Sequence, residues 1–170
     1  MKFFVVVIGL LAQYINGNCQ NNEKIHWMSL KEATNKNLMA PKKIFIDVYT
    51  SWCGWCKRMD ATTFEDDAVI KYINQKFYPV KLDAETKDTI YYRNKSYVFV
   101  PEYKSNEIAA YLLNGKMGYP TSVYLDEKME LIAPVQGYLD KDQLLQVMKY
   151  FAEDLYKTIK WDDYVKANNK

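Results

Sequence analysis

Apolar residues occur along the chain in blocks whose spacing fits strands and helices in turn. An almost continuous apolar run over residues 44–49 predicts a strand buried on both faces of a sheet. Residues 78–83 predict a second strand, and the segment between the two runs carries apolar side chains at helical spacing. An order of strand, helix and strand favours an α/β sheet with right-handed crossovers.

The segments beside these two strands extend the alternation. Residues 25–28 predict a short edge strand, and Ser29 with Glu32 has the spacing of a capping box that starts a helix ending before Pro41. A helix is expected to start at Cys53, and Asp66 or Asp67 caps a second helical stretch over residues 68–77. The predicted order through residue 83 is therefore strand, helix, strand, helix, strand.

The second half of the chain predicts two more strands and a closing helix. The strands cover residues 121–125 and 131–135, and the helix covers residues 141–156 with Asp140 and Gln143 as its capping box. Between residues 84 and 117, residues 89–93 and 96–100 predict a β-hairpin with Asn94 and Lys95 in its turn, followed by a helix over residues 106–113. Without an internal repeat or linker, residues 20–170 are predicted to form one domain.

Composition adds few constraints. The chain has 23 basic and 21 acidic residues and a formal net charge of +2, so no nucleic-acid partner is implied. Its 49% hydrophobic content is enough for a sizeable core, and 170 residues fit one domain.

The first residues predict export. Lys2 precedes an apolar segment over residues 3–11, which is too short to span a bilayer. Gly17 and Cys19 place small residues where a signal peptidase needs them, so we predict a signal peptide over residues 1–19 and a periplasmic or extracellular protein without a membrane span. The alternative is a lipoprotein that retains an acylated Cys19, but residues 16–18 match that pattern poorly.

Cys53 and Cys56 carry the most specific chemical signal. They form a Cys-x-x-Cys pair after a predicted strand and at the start of a predicted helix. Residues i and i+3 are neighbours on a helix, so a disulfide is compatible with this backbone. Unpaired amides and the positive end of the helix dipole favour the thiolate of Cys53, which we therefore predict to be the nucleophile.

Two other interpretations of the pair remain open. Half of a zinc site has the same spacing, but a structural site needs four ligands, and the chain adds only Cys19 and His26. We assign His26 to packing or to the surface. A purely structural disulfide is the second alternative, although so short a loop gains little by restricting the unfolded chain.

Asp47 is an unexpected residue in the apolar run over residues 44–49. A buried carboxylate is costly unless it has a partner or is neutral, so Asp47 needs a reason to be there. The alternative is that it lies near the strand end, where water reaches it.

These residues together resemble the thioredoxin superfamily. The matching positions are residues 52–57 around the two cysteines, Asp47 six residues before Cys53, Lys81 in the next strand, and Tyr119 with Pro120 before a later strand. The resemblance covers residues 25–156. It implies an α/β thioredoxin fold, a central mixed β-sheet flanked by helices, with residues 84–117 as a β-hairpin region inserted between the third core strand and the cis-proline strand.

The resemblance also implies roles for individual residues. Pro120 would be cis, its loop would pack against the cysteines, and the backbone of Tyr119 would pair with a substrate. Asp47, beneath Cys56 and near Lys81, would accept the proton of the resolving thiol, since burial raises a carboxyl pKa. The candidate catalytic residues are Cys53, Cys56, Asp47 and Lys81, and the candidate substrate-binding residues are Trp52, Trp55, Tyr119 and Pro120.

The predicted function is that of an exported thiol–disulfide oxidoreductase that reduces or isomerises protein disulfides. It would need no cofactor and no metal, only a partner that re-reduces the dithiol, and it would act as a monomer. Because Trp55 is uncharged and the charges of Lys57 and Arg58 are screened by water, we predict a potential below about −180 mV. The alternative is a binding or scaffold module with an inert disulfide. The aromatic residues of the 84–117 region are predicted to select partners; they are Tyr91, Tyr92, Tyr97, Phe99 and Tyr103.

Overall fold

The computed structural model describes residues 23–168. The helices in this part of the chain are α1 (Leu30–Met39), α2 (Gly54–Ala61), α3 (Asp67–Lys76), α4 (Glu107–Leu112), α5 (Lys141–Ala152) and α6 (Trp161–Asn168), with 3₁₀ turns at Thr63–Glu65 and Leu155–Lys157. The strands are β1 (Ile44–Tyr49), β2 (Tyr78–Asp83), β3 (Ile90–Tyr92), β4 (Lys95–Tyr97), β5 (Phe99–Val100), β6 (Ser105–Asn106), β7 (Thr121–Leu125) and β8 (Leu131–Gln136).

Four strands form the central sheet in the order β2-β1-β7-β8. β1 and β2 are parallel and place Asp47 opposite Lys81, whereas β1 and β7 are antiparallel and place Asp47 opposite Ser122. A parallel pair needs a long crossover connection, which α2 and α3 provide here. The sheet is therefore mixed and flanked by helices, as predicted.

The predicted edge strand over residues 25–28 is wrong. It is reduced to a single bridge between Met28 and Val80, in which the backbone N–H of Met28 donates to the carbonyl of Pro79. The next residue, Ser29, already caps α1, so the extended segment ends before a strand can form.

Side chains of β1 alternate between two buried layers. Ile44, Ile46 and Val48 pack into the layer that includes residues of α1 and α4, whereas Phe45 packs into the layer that includes residues of α3 and α5. Asp47 is two residues after Phe45 and therefore lies on the same face as that side chain. Burial on both faces explains why the apolar run is almost continuous.

The helix boundaries follow from local hydrogen bonds. The predicted capping boxes of α1 and α5 are both present, and the side chain of Asp66 caps α3. The last predicted helix ends at Ala152 rather than at residue 156. Asp154 adopts the left-handed conformation, with φ of 58°, and the chain continues into a 3₁₀ turn.

The 84–117 region contains a hairpin whose turn is shifted by one residue from the prediction. β3 and β4 pair with Ile90 opposite Tyr97, so Arg93 and Asn94 form the turn. Both have positive φ, 49° and 60°, as a type I′ hairpin turn requires. The second predicted strand ends at Tyr97, and β5 pairs with β6 instead.

Asn106 holds this region together from the inside. Its side-chain carbonyl accepts the N–H of Ile108 at the start of α4, and its amide donates to the carbonyls of Thr86 and Asp88. Its own N–H donates to the carbonyl of Ala84. Asn106 thus ties the loop over residues 84–88 to the start of α4.

Part of the aromatic set assigned to partner selection lies in the core. Tyr92 is 1% exposed and Tyr97 is also buried, and the Tyr92 hydroxyl donates to the carbonyl of Met129. Tyr91 and Tyr103 are exposed. Phe99 is half-buried, so the partner-selection prediction is wrong for Tyr92 and Tyr97 and stays a prediction for Tyr91, Phe99 and Tyr103.

Candidate active site

The site is organised by a disulfide between Cys53 and Cys56 at the N-terminus of α2, with Cα atoms 5.3 Å apart. Cys53 is the N-cap residue, and its Sγ accepts the backbone N–H of Cys56 at 3.0 Å. Unpaired amides and the positive end of the helix dipole therefore face the first sulfur. After reduction, this position would favour the Cys53 thiolate over the thiol.

The loop before β7 lies at the same end of the sheet as the disulfide. Thr121, the first residue of β7, pairs with Val48 near the end of β1, and the Tyr119–Pro120 peptide bond is cis, as the resemblance implied. The Thr121 hydroxyl donates to the carbonyl of Gly118 at 2.7 Å. The N–H of Gly137 donates to the carbonyl of Pro120 at 2.8 Å. One hydrogen bond within the cis-proline loop and one from the segment after β8 therefore hold the loop in place.

Gly118 lies close to the side chain of Gln136. A Cβ atom at this position would lie 1.5 Å from Nε2 of Gln136. Any larger residue would push the Gln136 side chain away from the cis-proline loop.

Trp52 lies on one side of the disulfide and is 65% exposed. Its ring packs edge-on against Tyr119, with centroids 5.9 Å apart, and its Nε1–H donates to Oε1 of Glu85 at 3.0 Å. The predicted substrate-binding residues Trp52 and Tyr119 therefore form one contact surface, to which Glu85 adds a carboxylate.

Trp55 is 59% exposed and pairs with Tyr138, a residue that sequence analysis did not single out. The two ring centroids are 5.4 Å apart, and the guanidinium of Arg58 lies 5.9 Å and 6.0 Å from them. Such distances fit cation–π attraction. The Trp55–Arg58 spacing of i and i+3 is visible in the sequence, whereas the contact of Trp55 with Tyr138 depends on the tertiary fold.

Asp47 is 1% exposed, so the alternative of a strand end reached by water is wrong. Its Oδ2 accepts from Nζ of Lys81 at 2.6 Å, and its Oδ1 has no hydrogen-bond partner among the described residues. Burial raises the pKa of the Asp47 carboxyl, and the Lys81 ammonium only partly offsets this effect. Asp47 is therefore easier to protonate than an ordinary aspartate.

Asp60 is the charged residue that sequence analysis missed. Nζ of Lys81 also contacts Oδ1 of Asp60, which lies four residues after Cys56 on α2 and therefore on the same helix face. Burial lowers the pKa of Lys81, but the two carboxylates outweigh it and raise the net pKa. We call Asp47, Lys81 and Asp60 the carboxylate–lysine network.

Aromatic rings enclose the ammonium group of this network. Nζ of Lys81 lies 5.0 to 5.2 Å from three ring centroids, those of Tyr49, Trp27 and Phe64. The rings and the two carboxylates together fix the charge of Lys81 beside Asp47.

Several further predictions concern residues away from the disulfide. The side chain of His26 is exposed. Residues 23–168 contain no group of three or more His, Cys, Asp and Glu side chains placed to hold a metal ion. Over the same residues, no helix has both the length and the apolar character that crossing a bilayer requires. The predicted signal peptide, including Cys19, lies outside the described residues.

Solved structures of thioredoxin-like proteins are similar to this one. A DsbH oxidoreductase matches with a TM-score of 0.56 and 17% identity, covering 76% of this chain and 85% of that chain. A proposed disulphide-isomerase from Bacteroides thetaiotaomicron matches with a TM-score of 0.56 and 26% identity, covering 77% and 95%. A thioredoxin from Thermus thermophilus matches with a TM-score of 0.56 and 17% identity, covering 74% and 85%. The predicted thioredoxin fold is confirmed.

Sequence comparison gives a relative and a family. Uncharacterized protein B0495.5 of Caenorhabditis elegans is 30% identical over 117 residues. That match covers 68% of this chain but only 14% of the worm protein, so this chain corresponds to a small part of that protein's length. The sequence profile of the Thioredox_DsbH family, described as "Protein of unknown function, DUF255", matches residues 11–162. Since the match covers most of the chain, this protein belongs to the Thioredox_DsbH family.

Proposed function

We propose that this protein is a thiol–disulfide oxidoreductase that acts on protein disulfides. The observation that carries the proposal is the Cys53–Cys56 disulfide at the N-terminus of α2, at the same sheet end as the cis-proline loop. A purely structural disulfide of this loop length would restrict the unfolded chain very little. The name of the similar Bacteroides thetaiotaomicron protein, a proposed disulphide-isomerase, points to the same chemistry.

The reaction starts from the reduced pair. The Cys53 thiolate attacks one sulfur of the substrate disulfide, the substrate S–S bond breaks, and a mixed disulfide with Cys53 forms. The released substrate thiolate takes a proton from solvent. The Cys56 thiolate then attacks Sγ of Cys53, which reforms the Cys53–Cys56 disulfide and releases the second substrate thiol. Two electrons have passed to the substrate, and a dithiol partner must supply two to restart the cycle.

In this scheme Asp47 accepts the proton of the Cys56 thiol. Its burial, its raised pKa and its unpartnered Oδ1 support a carboxyl that exchanges protons more readily near neutral pH than an ordinary aspartate does. Lys81 holds the other carboxylate oxygen. Asp60 is a positioning residue, because it shares the Lys81 ammonium without being buried.

Substrates would dock across the exposed aromatic residues beside the disulfide. Trp52 and Trp55 would offer exposed rings to the substrate, half-buried Tyr119 would add part of its ring, and the backbone of Tyr119 before cis-Pro120 would pair with an extended substrate segment. Exposed aromatic surface of this kind supplies contact area with little loss of side-chain entropy.

An insulin-reduction assay with dithiothreitol tests the function. The full chain should accelerate the appearance of turbidity, Cys53→Ser should reduce the rate to that of dithiothreitol alone, and the exposed neighbour variant Ser51→Ala should behave as wild type. A wild-type protein that is folded by circular dichroism but does not accelerate turbidity would instead support a scaffold with an inert disulfide.

The direction of electron flow is a separate part of the proposal. A moderately acidic Cys53 gives a reducing or isomerising potential, below about −180 mV. Equilibration with glutathione buffers measures this potential. A value near −120 mV, as in the strongest oxidants, would make the protein a disulfide donor.

We also propose that the protein is exported and acts as a monomer outside the cytoplasm. The support is the charged and apolar pattern of residues 1–19. Intact-mass analysis of the secreted protein should show a chain that begins at Gln20, and light scattering should give the mass of one chain. An acylated Cys19 at the N-terminus would replace the signal-peptide assignment with the lipoprotein alternative.

A further inference from the structure

The two outer strands of the sheet, β2 and β8, end on either side of the disulfide, and different side chains follow them. Glu85 follows β2 at one edge, and Tyr138 follows β8 at the other edge. The last residue of β2 pairs with Tyr49 and the last residue of β8 pairs with Thr121, so both edges end beside the disulfide. Three strand spacings separate them, about 14 Å.

The β2 edge carries negative charge. Glu85 accepts the indole N–H of Trp52, and the backbone N–H of Glu85 donates to Oδ1 of Asp83 at 2.9 Å. Neither carboxylate forms an ion pair with another described residue. Burial raises the pKa of Tyr119, and the carboxylates of Glu85 and Asp83 raise it further, as expected if their field reaches the substrate surface.

The β8 edge carries positive charge. The Arg58 guanidinium lies over the rings of Trp55 and Tyr138, and the preceding residue, Lys57, is exposed. Neither cation forms an ion pair within residues 23–168. Hydrogen bonding with the side chains of Thr62 and Thr63 lowers the pKa of Tyr138, and Arg58 lowers it further, opposite in sign to the shift at Tyr119.

We propose that this charge asymmetry selects substrates: the protein prefers disulfides whose attacked cysteine has a basic residue on one side and an acidic residue on the other, in one fixed order. Glu85 and Asp83 would receive the basic residue, and Arg58 and Lys57 the acidic one. A fixed order follows because backbone pairing with Tyr119 gives the substrate one chain direction. This inference rests on the proposed function and specifies its substrate class.

Charge pairs at an exposed surface have modest individual effects. One such pair changes an equilibrium or rate constant by about 1.5- to 5-fold, and two pairs acting together predict a preference of about 3- to 10-fold. Opposite potentials also steer encounter, so the preference should decrease as salt is added.

The test uses synthetic peptides that carry one cysteine in a mixed disulfide with thionitrobenzoate. Attack by the reduced full-length protein on the peptide sulfur releases the coloured thiolate, and the absorbance gives the rate constant. The peptides are Lys-Ala-Cys-Ala-Glu, Glu-Ala-Cys-Ala-Lys and the neutral Gln-Ala-Cys-Ala-Gln. One charged order should react faster than the other by about 3- to 10-fold at low salt.

Charge variants assign the effect to the two edges. Arg58→Glu combined with Glu85→Lys should invert the preferred order, and Glu85→Gln, which keeps an acceptor for Trp52, should reduce the preference. The control combines Lys128→Glu with Glu102→Lys, two exposed positions away from the disulfide, and should leave the preference unchanged.

The outcomes separate this inference from the proposed function. Equal rates for both charged orders overturn the charge-selection inference, while reaction with the neutral peptide still upholds disulfide exchange. A preference that survives the Arg58 and Glu85 exchange also overturns it. Failure of the folded, reduced protein to react with any of the three peptides overturns the proposed function, and the inference with it.

Discussion

Trp52 and Trp55 beside the disulfide and Tyr92 and Tyr97 in the 84–117 region are all large aromatic residues, but their surroundings differ. The tryptophans expose more than half of their surface, whereas the tyrosines are buried and Tyr92 also uses its hydroxyl for an internal hydrogen bond. Exposed rings remain available to a partner, and buried rings stabilise the region that contains them. Abundance of aromatic residues therefore does not by itself identify a docking surface, and the rings that stay exposed beside the disulfide are those of Trp52 and Trp55.

The largest effect is expected from substitution of the two cysteines, because the disulfide end contains them and the 84–117 region has no cysteine. Cys56→Ser should accumulate mixed disulfides with substrate, because Cys53 still attacks but nothing resolves the adduct. Cys53→Ser should form none. Non-reducing electrophoresis of protein incubated with disulfide substrates measures this. Adducts of similar abundance in both variants would contradict the assignment of Cys53 as the nucleophile.

A pair of aromatic truncations contrasts the two regions directly. Tyr92→Ala should lower the free energy of unfolding by about 3–5 kcal/mol, since it removes a fully buried ring. Trp55→Ala should change stability by only about 0.5 kcal/mol but reduce the rate of insulin reduction. Urea denaturation and the turbidity assay measure the two effects. If Tyr92→Ala lost activity but kept its stability, Tyr92 would have a docking role rather than a packing role.

Asp47→Asn should have opposite effects on stability and activity. The raised folded-state pKa means that ionised Asp47 opposes folding, so wild-type stability decreases as pH rises from the usual value of 3.8 through the folded pKa. Asparagine imitates the neutral carboxyl, so the variant should be more stable above that window, by about 1–3 kcal/mol, and should match wild type below it.

Denaturation curves across this pH range check the sign of the Asp47 effect, and the turbidity assay should show slower reduction at neutral pH. A variant that is less stable than wild type at neutral pH would mean that the Lys81 ammonium dominates over burial at Asp47.

The smallest expected effect is that of Asp60→Asn. Removing this carboxylate leaves the Lys81 ammonium to Asp47 alone, so the pKa of Asp47 should decrease and the pH profile of disulfide exchange should shift to lower pH. The free energy of unfolding should change by no more than about 1 kcal/mol, because Asp60 is partly exposed. Glu65→Gln, another exposed carboxylate nearby in the chain, serves as the control. An unchanged pH profile would mean that Asp60 forms a surface ion pair with Lys81 and does not influence Asp47.

Local signals explain which parts of the fold and site were predictable. The apolar run of β1, the capping boxes of α1 and α5, and the Cys53–Cys56 spacing are encoded within a few residues, and the structure contains all of them. The hairpin turn was misplaced by one residue because Arg93, unlike glycine, gives little sign of a positive φ.

Long-range contacts explain what sequence analysis missed. Asp60 and Tyr138 acquire their roles only when Lys81 and Trp55 reach them through the tertiary fold. Tyr92 and Tyr97 were assigned to partners because burial of a hairpin face depends on what packs against it. Charged and aromatic residues of loops therefore need the assembled structure before their roles can be separated.

The contacts of Asn106 and Ala84 have a practical consequence for protein engineering. The N–H of Ala84 donates to the carbonyl of Tyr49, and the carbonyl of Ala84 accepts the N–H of Asn106. These two hydrogen bonds fix the chain beside Glu85 without any contribution from the exposed turn at residues 101–104. That turn should accept an inserted epitope or a fluorescent label at Tyr103 without disturbing the disulfide end. A label there would report on partners that touch the 84–117 region and would leave the disulfide end of the protein unchanged.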